Sequence, residues 1–87
     1  MEDRIDNFFD YAHVYVKKHF ASTIPIELEE AWRTVLEGSD ETALSELSDD
    51  TIMGDLCDFY GDFSQREDEE DLVRIINSYK YQLPTIH

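Results

Sequence analysis

The sequence predicts an all-α fold: a single-domain bundle of four to five short antiparallel helices. Three observations carry this. Apolar residues recur at i, i+3, i+4 and i+7 along nearly the whole chain, the spacing that keeps one face of a helix against a core. Alternation with period two is absent, so no segment reads as a half-buried strand. Helix-starting and helix-stopping residues punctuate the pattern at intervals of one short helix.

The first helix is predicted over about residues 2–20. Ile5, Phe8, Phe9, Ala12, Val16 and Phe20 fall within one arc of about 120°. Tyr11 and Val14 lie outside that arc and are left as exposed residues or a second contact surface. Lys17, Lys18 and His19 suit the negative C-terminal end of the helix dipole. After the connector Ala21-Ser22-Thr23-Ile24, Pro25 suits the start of a second helix, where its missing N–H costs nothing. Glu27, Glu29 and Glu30 load that positive end, and Leu28, Ala31, Trp32, Val35 and Leu36 form the buried stripe. Gly38 reads as the stop, in the left-handed conformation common just past a helix end. Ser39 is expected to cap a short third helix over about 40–47, with Ala43, Leu44 and Leu47 inward.

Ser48 is expected to cap a fourth helix over about 49–61. Its apolar arc is Ile52, Met53, Leu56, Cys57, Phe59 and Tyr60, continued by Phe63, with Gly61 as the stop. Ser64 and Glu67 match a capping box for the last helix. Leu72, Val73, Ile75, Ile76 and Tyr79 are its expected inner face, and Pro84 its end. The bundle is thus expected over 1–83, with 84–87 a frayed tail.

Composition narrows the function. The 87 residues carry 7 basic and 21 acidic side chains, a net charge of −14. Direct nucleic-acid binding needs a basic patch that neutralises phosphates, and the chain has none to offer. The start of the chain is acidic and polar, unlike a secretory signal, and no apolar run is long enough to span a membrane. With Cys57 as the single cysteine there is no internal disulfide, which favours a cytoplasmic setting, and Cys57 itself is expected as a small buried hydrophobe.

The charge is concentrated. Residues 37–71 hold fourteen acids against one base, Arg66, for a balance of −13. The flanks balance at −3 for 1–36 and +2 for 72–87. On the fourth helix Asp55, Asp58 and Asp62 fall within about 60° of one another, opposite the apolar arc. Glu67, Asp68, Glu69, Glu70 and Asp71 run unbroken into the fifth helix. Two or three acids satisfy a helix N-terminus, and the surplus costs self-repulsion in a small domain. Aromatic residues interleave with the acids in Asp58-Phe59-Tyr60-Gly61-Asp62-Phe63. Asp55, Asp58, Asp62 and the run 67–71 therefore read as a partner-binding surface, with Tyr60 and Phe63 as its anchors.

Enzymatic chemistry has little to stand on, and no cofactor or metal is expected. No acid falls on a predicted apolar face, where burial would tune a catalytic carboxyl. His13 and His19 point about 120° apart on a helix, which is not metal-ligand spacing. Neither Gly54 nor Gly61 has the acids of a calcium loop at the required positions before it.

The profile resembles the small, acidic, helical immunity proteins that protect bacteria from nuclease toxins, and within them loosely the colicin D type. The likeness lies in the amphipathic opening Ile5-Asp6-Asn7-Phe8-Phe9, the acid–aromatic stretch 56–63 and the closing Glu70-Asp71-Leu72-Val73-Arg74-Ile75-Ile76. The Tyr-Tyr-Pro segment of the DNase-colicin branch is absent. The resemblance implies a protein-binding inhibitor that occupies or flanks the basic cleft of a cognate nuclease, so the expected partner is a basic protein. Two alternatives stay open. Leu47-Ser48-Asp49 is similar to the modified serine triplet of acyl and peptidyl carrier proteins, without its flanking Asp and Leu. A regulatory adaptor binding through an apolar surface that includes Tyr11 and Val14 is the other.

Overall fold

Capping chemistry decides where most of the helices begin. In the computed structural model, which describes residues 4–82, the Ser48 hydroxyl accepts from the Thr51 amide at 3.2 Å and opens α4, Asp49–Ser64. The other helices are α1 Arg4–Phe20, α2 Ile26–Glu37, α3 Glu41–Ser45 and α5 Glu69–Tyr79, and no strand occurs among the described residues. The expected start of α1 at residue 2 and the expected tail 84–87 lie outside the described residues.

Several boundaries differ from the sequence reading. Asp40, not Ser39, caps α3 by accepting from the Ala43 amide at 3.1 Å. Ser39 instead donates to the Val35 carbonyl at 2.7 Å. Helix α4 passes through Gly61 and ends at Ser64. One more turn buries Phe63, and a glycine only lowers helix propensity. Ser64 is thereby used up in α4, and Asp68 caps α5. Its carboxylate accepts from the Asp71 amide at 2.9 Å, while Asp71 reaches back to the Glu67 amide at 3.2 Å. The pair stands four residues beyond the expected box and differs from it in that Asp71 accepts from the residue before the cap, with charged acceptors where the helix dipole favours them.

Gly38 closes α2 with φ −86° rather than in the left-handed region. A Cβ there would lie 2.5 Å from the Lys80 Cε, so the missing side chain makes room for the Lys80 stem. The left-handed turn belongs to α1, where Ala21 takes φ 51° and its amide bonds the Lys17 carbonyl at 3.1 Å. Helix α5 stops at Tyr79, well before Pro84, and Lys80 turns extended.

Side-chain pairs give the helix directions. Asp6 meets Arg33 at 2.9 Å and His13 meets Glu29 at 3.0 Å, so α1 and α2 run oppositely. Glu27 meets Arg66 and Trp32 meets Phe59, which sets α4 against α2. Arg4 at the start of α1 meets Asp49 at 2.7 Å, while Val16 and Phe20 at its end line one groove with Cys57 and Tyr60, so α1 and α4 run in the same sense. Helices α2 and α4 touch each other, and each touches both α1 and α5. The core therefore sits on the α2–α4 seam.

Trp32 is fully buried at that seam. Phe59, Tyr79 and Tyr81 surround it with ring centroids 5.1, 6.2 and 6.5 Å away, the last two edge-on. Phe8, Val35, Leu36 and Ile52 complete, with Trp32 and Phe59, the set of large side chains shut off from solvent. Tyr81 is held there by backbone as well. Its carbonyl accepts from the Asp40 amide at 2.8 Å, and its amide donates to Ser39 Oγ at 2.9 Å. Residues 80–82 thus form a short extended strap across the α2–α3 connector.

Four residues read into the apolar arcs are outside: Cys57, Val73, Phe20 and Tyr60. Cys57 is exposed. On α4 it stands about 110° from the centre of the buried arc formed by Ile52, Met53, Leu56, Phe59 and Phe63. Val73 is similarly offset, by about 110°, on α5. Phe20 keeps 60% exposure because α1 ends there and the chain turns away. Tyr11 packs partly against the core, whereas Val14 is exposed. Two glycines, Gly54 and Gly61, lie inside α4, and a Cβ on either would meet no atom within 4 Å. Each costs about 1 kcal/mol of helix stability relative to alanine, and nothing inside the domain requires them.

Candidate protein-binding surface

The carboxylate row Asp55, Asp58 and Asp62 forms as the helical spacing predicts, but its members have different surroundings. The Tyr81 hydroxyl donates to Asp55 Oδ2 at 2.5 Å, and the Tyr79 hydroxyl donates to Asp62 Oδ2 at 2.6 Å. The row lies beside the end of α5, and two of its three carboxylates hold that end in place. Asp58 is exposed with no bond from a described side chain. The run 67–71 divides likewise. Asp68 and Asp71 are spent on the α5 cap, and Asp71 also takes Arg74 at 3.3 Å. Glu67, Glu69 and Glu70 remain exposed.

The aromatic pair divides too. Tyr60 is 51% exposed, as an anchor must be. Phe63 is buried and does not serve as one. It faces the core because it extends the arc of Ile52, Leu56 and Phe59. Arg66, the one base of the acidic segment, lies over the Phe63 ring at 3.8 Å, donates to the Phe63 carbonyl at 2.7 Å and reaches Glu27 at 3.5 Å. Its charge is thus held on the α2 side, at Glu27. Of the ten residues read from the sequence, Asp58, Tyr60, Glu67, Glu69 and Glu70 are available to a partner, and Asp55, Asp62, Phe63, Asp68 and Asp71 build the scaffold beneath them.

The tyrosine partners follow a physical logic. A phenol donating to a carboxylate must stay protonated, because phenolate and carboxylate repel. Tyr79 is pushed up from about 10 to about 12 by its bond to Asp62, then by burial and the charges of Asp62, Asp58 and Asp55. Tyr81 is pushed up as well, first by burial and then by Asp55. Tyr11, bonded to Asp50, rises to about 12.

The sign follows from linkage. A pKa raised on folding contributes stability that is complete below the unfolded value and lost as pH climbs through the folded one. The domain is therefore expected to hold its far-UV circular dichroism up to about pH 10 and to lose stability between about pH 10 and 12. Phenolate absorbance of Tyr79 is expected to rise over the same range. A Tyr79→Phe variant is expected to lose that absorbance step and to show a shallower alkaline decline. An identical decline would remove Tyr79 as its cause.

Other residues singled out by sequence have local roles. Ser48 Oγ lies 3.0 Å from Thr51 Oγ1 as well as capping α4. His19 packs on Tyr15 with centroids 4.4 Å apart. Among the described residues no three His, Cys, Asp or Glu side chains gather as a metal site, and no helix is long and apolar enough to cross a membrane.

Sequence reading missed an apolar groove of about 410 Å³ where the end of α1, the connector and α4 diverge. Val16, Phe20, Pro25, Met53, Cys57 and Tyr60 contribute to its lining. The available signal was that Cys57 and Tyr60 lie at the edge of the α4 arc rather than at its centre. No protein-family model, curated protein or solved structure matches the chain.

Proposed function

We propose that the chain is an acidic protein-binding inhibitor that neutralises a basic nuclease toxin, as an immunity protein or antitoxin does. The observation that carries this reading is the set of exposed carboxylates Asp58, Glu67, Glu69 and Glu70, which take no part in pairing or capping among the described residues although they add four charges to a chain at −14 in all. Unpaired like charges cost a small domain stability, and a partner of opposite sign offsets that cost. The partner's nucleic-acid cleft is basic because it receives phosphates, and a rigid carboxylate surface occupies it or flanks it. The resemblance to helical immunity proteins points the same way.

The test is kinetic. A basic nuclease retained by the tagged chain and released by rising salt is mixed with the chain, and its activity is followed. Activity is expected to fall in proportion to the chain added. Reversing Asp58, Glu67, Glu69 and Glu70 to lysine is expected to slow association by about 10- to 1,000-fold at low salt, since steering contributes that much. The circular dichroism spectrum should stay unchanged, because none of the four carboxylates makes a hydrogen bond or ion pair among the described residues, and losing Glu69 and Glu70 from the first turn of α5 costs only about 0.3–1 kcal/mol each. Asp62 is left out of the set, as its reversal breaks the Tyr79 bond. An unchanged on-rate, or an interaction indifferent to salt, overturns the reading.

A further inference from the structure

The apolar groove is not explained by the acidic surface. Its rim is formed by two exposed aromatic side chains, Phe20 on α1 and Tyr60 on α4. Its volume of about 410 Å³ lies within the roughly 300–1,000 Å³ typical of ligand clefts. Beyond the Cys57 edge, α4 presents Gly54, Cys57 and Gly61 at i, i+3 and i+7, on one exposed face. A Cβ on either glycine would meet no atom within 4 Å, so no described residue requires their smallness and the space beside them is open. Small residues at a contact let a second helix axis come close.

Charge restricts what fits there. Asp50 lies one turn before Gly54 on this face, and exposed Asp58 follows Cys57. Lys17 and Lys18, exposed on the last turn of α1, do not line the groove. A second copy of the chain would bring another −14 to a surface that is already acidic, so self-association is disfavoured.

We propose that the groove and the small-residue face of α4 dock one amphipathic, basic helix of a protein partner. An apolar side chain of that helix enters between Phe20 and Tyr60, and its cations lie over Asp50 and Asp58. The inference rests on the inhibitor reading and deepens it: the exposed acids speed encounter, while the groove supplies the desolvated contact that sets the dissociation rate.

The probe is a fluorescein-labelled synthetic helix of leucine and lysine in amphipathic order, measured by anisotropy against the full chain. Two control peptides are used: the same composition scrambled so that no apolar stripe forms, and an amphipathic leucine–glutamine helix. The amphipathic basic peptide is expected to bind at least about tenfold tighter than either control. A variant carrying Gly54→Gln and Gly61→Gln is expected to melt higher, because glycine leaves two helix positions, yet to bind the peptide at least about tenfold more weakly. Tyr60→Ala is expected to weaken binding in the same direction. These opposite signs separate a blocked face from a damaged fold.

Equal binding of the scrambled peptide, with the glycine variant indifferent, overturns the groove and leaves the acidic inhibitor reading standing. Equal binding of the glutamine peptide overturns the basic character of the occupant. A dimer in sedimentation that the glycine variant abolishes assigns the face to a second copy and overturns the proposal. Failure of the inhibitor reading shows separately, as an unchanged on-rate for a nuclease after charge reversal.

Discussion

Replacing Trp32 with alanine is expected to lower the melting temperature of the domain by more than about 12 °C. Truncating a fully buried tryptophan costs about 3–5 kcal/mol. A chain of 87 residues has roughly 4–13 kcal/mol of stability to lose, at about 0.05–0.15 kcal/mol per residue. Each kcal/mol moves the melting temperature of a domain this size by about 4–8 °C, so the drop should exceed about 12 °C. Trp32→Phe provides the contrast. The indole Nε1 is buried without an acceptor among the described residues. Removing that donor returns part of the cost of the lost volume, since an unsatisfied buried group carries a penalty of about 1–3 kcal/mol. Melting followed by circular dichroism should therefore rank wild type above Trp32→Phe, and Trp32→Ala far below both. A Trp32→Ala protein that melts with the wild type would mean that the aromatic cluster is not the core.

Removing the Tyr81 side chain is expected to cost about 2–4 kcal/mol, from one charge-assisted hydrogen bond and the ring's packing on Trp32. The position lies outside every helix, where substitutions are ordinarily mild. Tyr81→Phe keeps the ring against Trp32 and isolates the hydroxyl, and it is expected to cost about 1–2 kcal/mol because the phenol is half-buried and solvent weakens its bond. A double-mutant cycle with Asp55→Asn in urea should return a coupling between the two positions. Additive costs would place the Tyr81 effect in packing alone. Neither Tyr81 variant should change association with a basic partner, because Asp55 belongs to the scaffold and Asp58 to the exposed surface.

The helices were legible from the sequence because burial imposes a period, and the period survives without knowledge of which helices touch. The arcs of Leu28, Ala31, Trp32, Val35 and Leu36 and of Ile52, Leu56, Phe59 and Phe63 are the clearest cases. The Ser48 cap was readable for a similar reason, since the amide it accepts from lies three residues away. Boundaries where several caps compete were not. Ser39 competes with Asp40 and Ser64 with Asp68, and in both the carboxylate wins at the positive end of the helix. The carboxylate row on α4 could be placed on one face, but its two tyrosine partners come from positions 17 and 26 residues further along. No local pattern encodes that meeting. Phe63 shows the same limit from the other side, because a helix continued past Gly61 turns an apparent exposed anchor into core.

The strap at Tyr81 sets an order of events during synthesis. Trp32, Ser39, Asp40 and Asp55 leave the ribosome well before residue 81, and until it follows, one edge of the tryptophan and the Asp40 amide lack their native covers. The early helices can form, but the centre of the domain cannot close around them. Folding is thus expected to finish as a late step rather than to grow steadily with chain length. A nascent chain halted just short of Tyr81 should be cut by protease where the released domain resists.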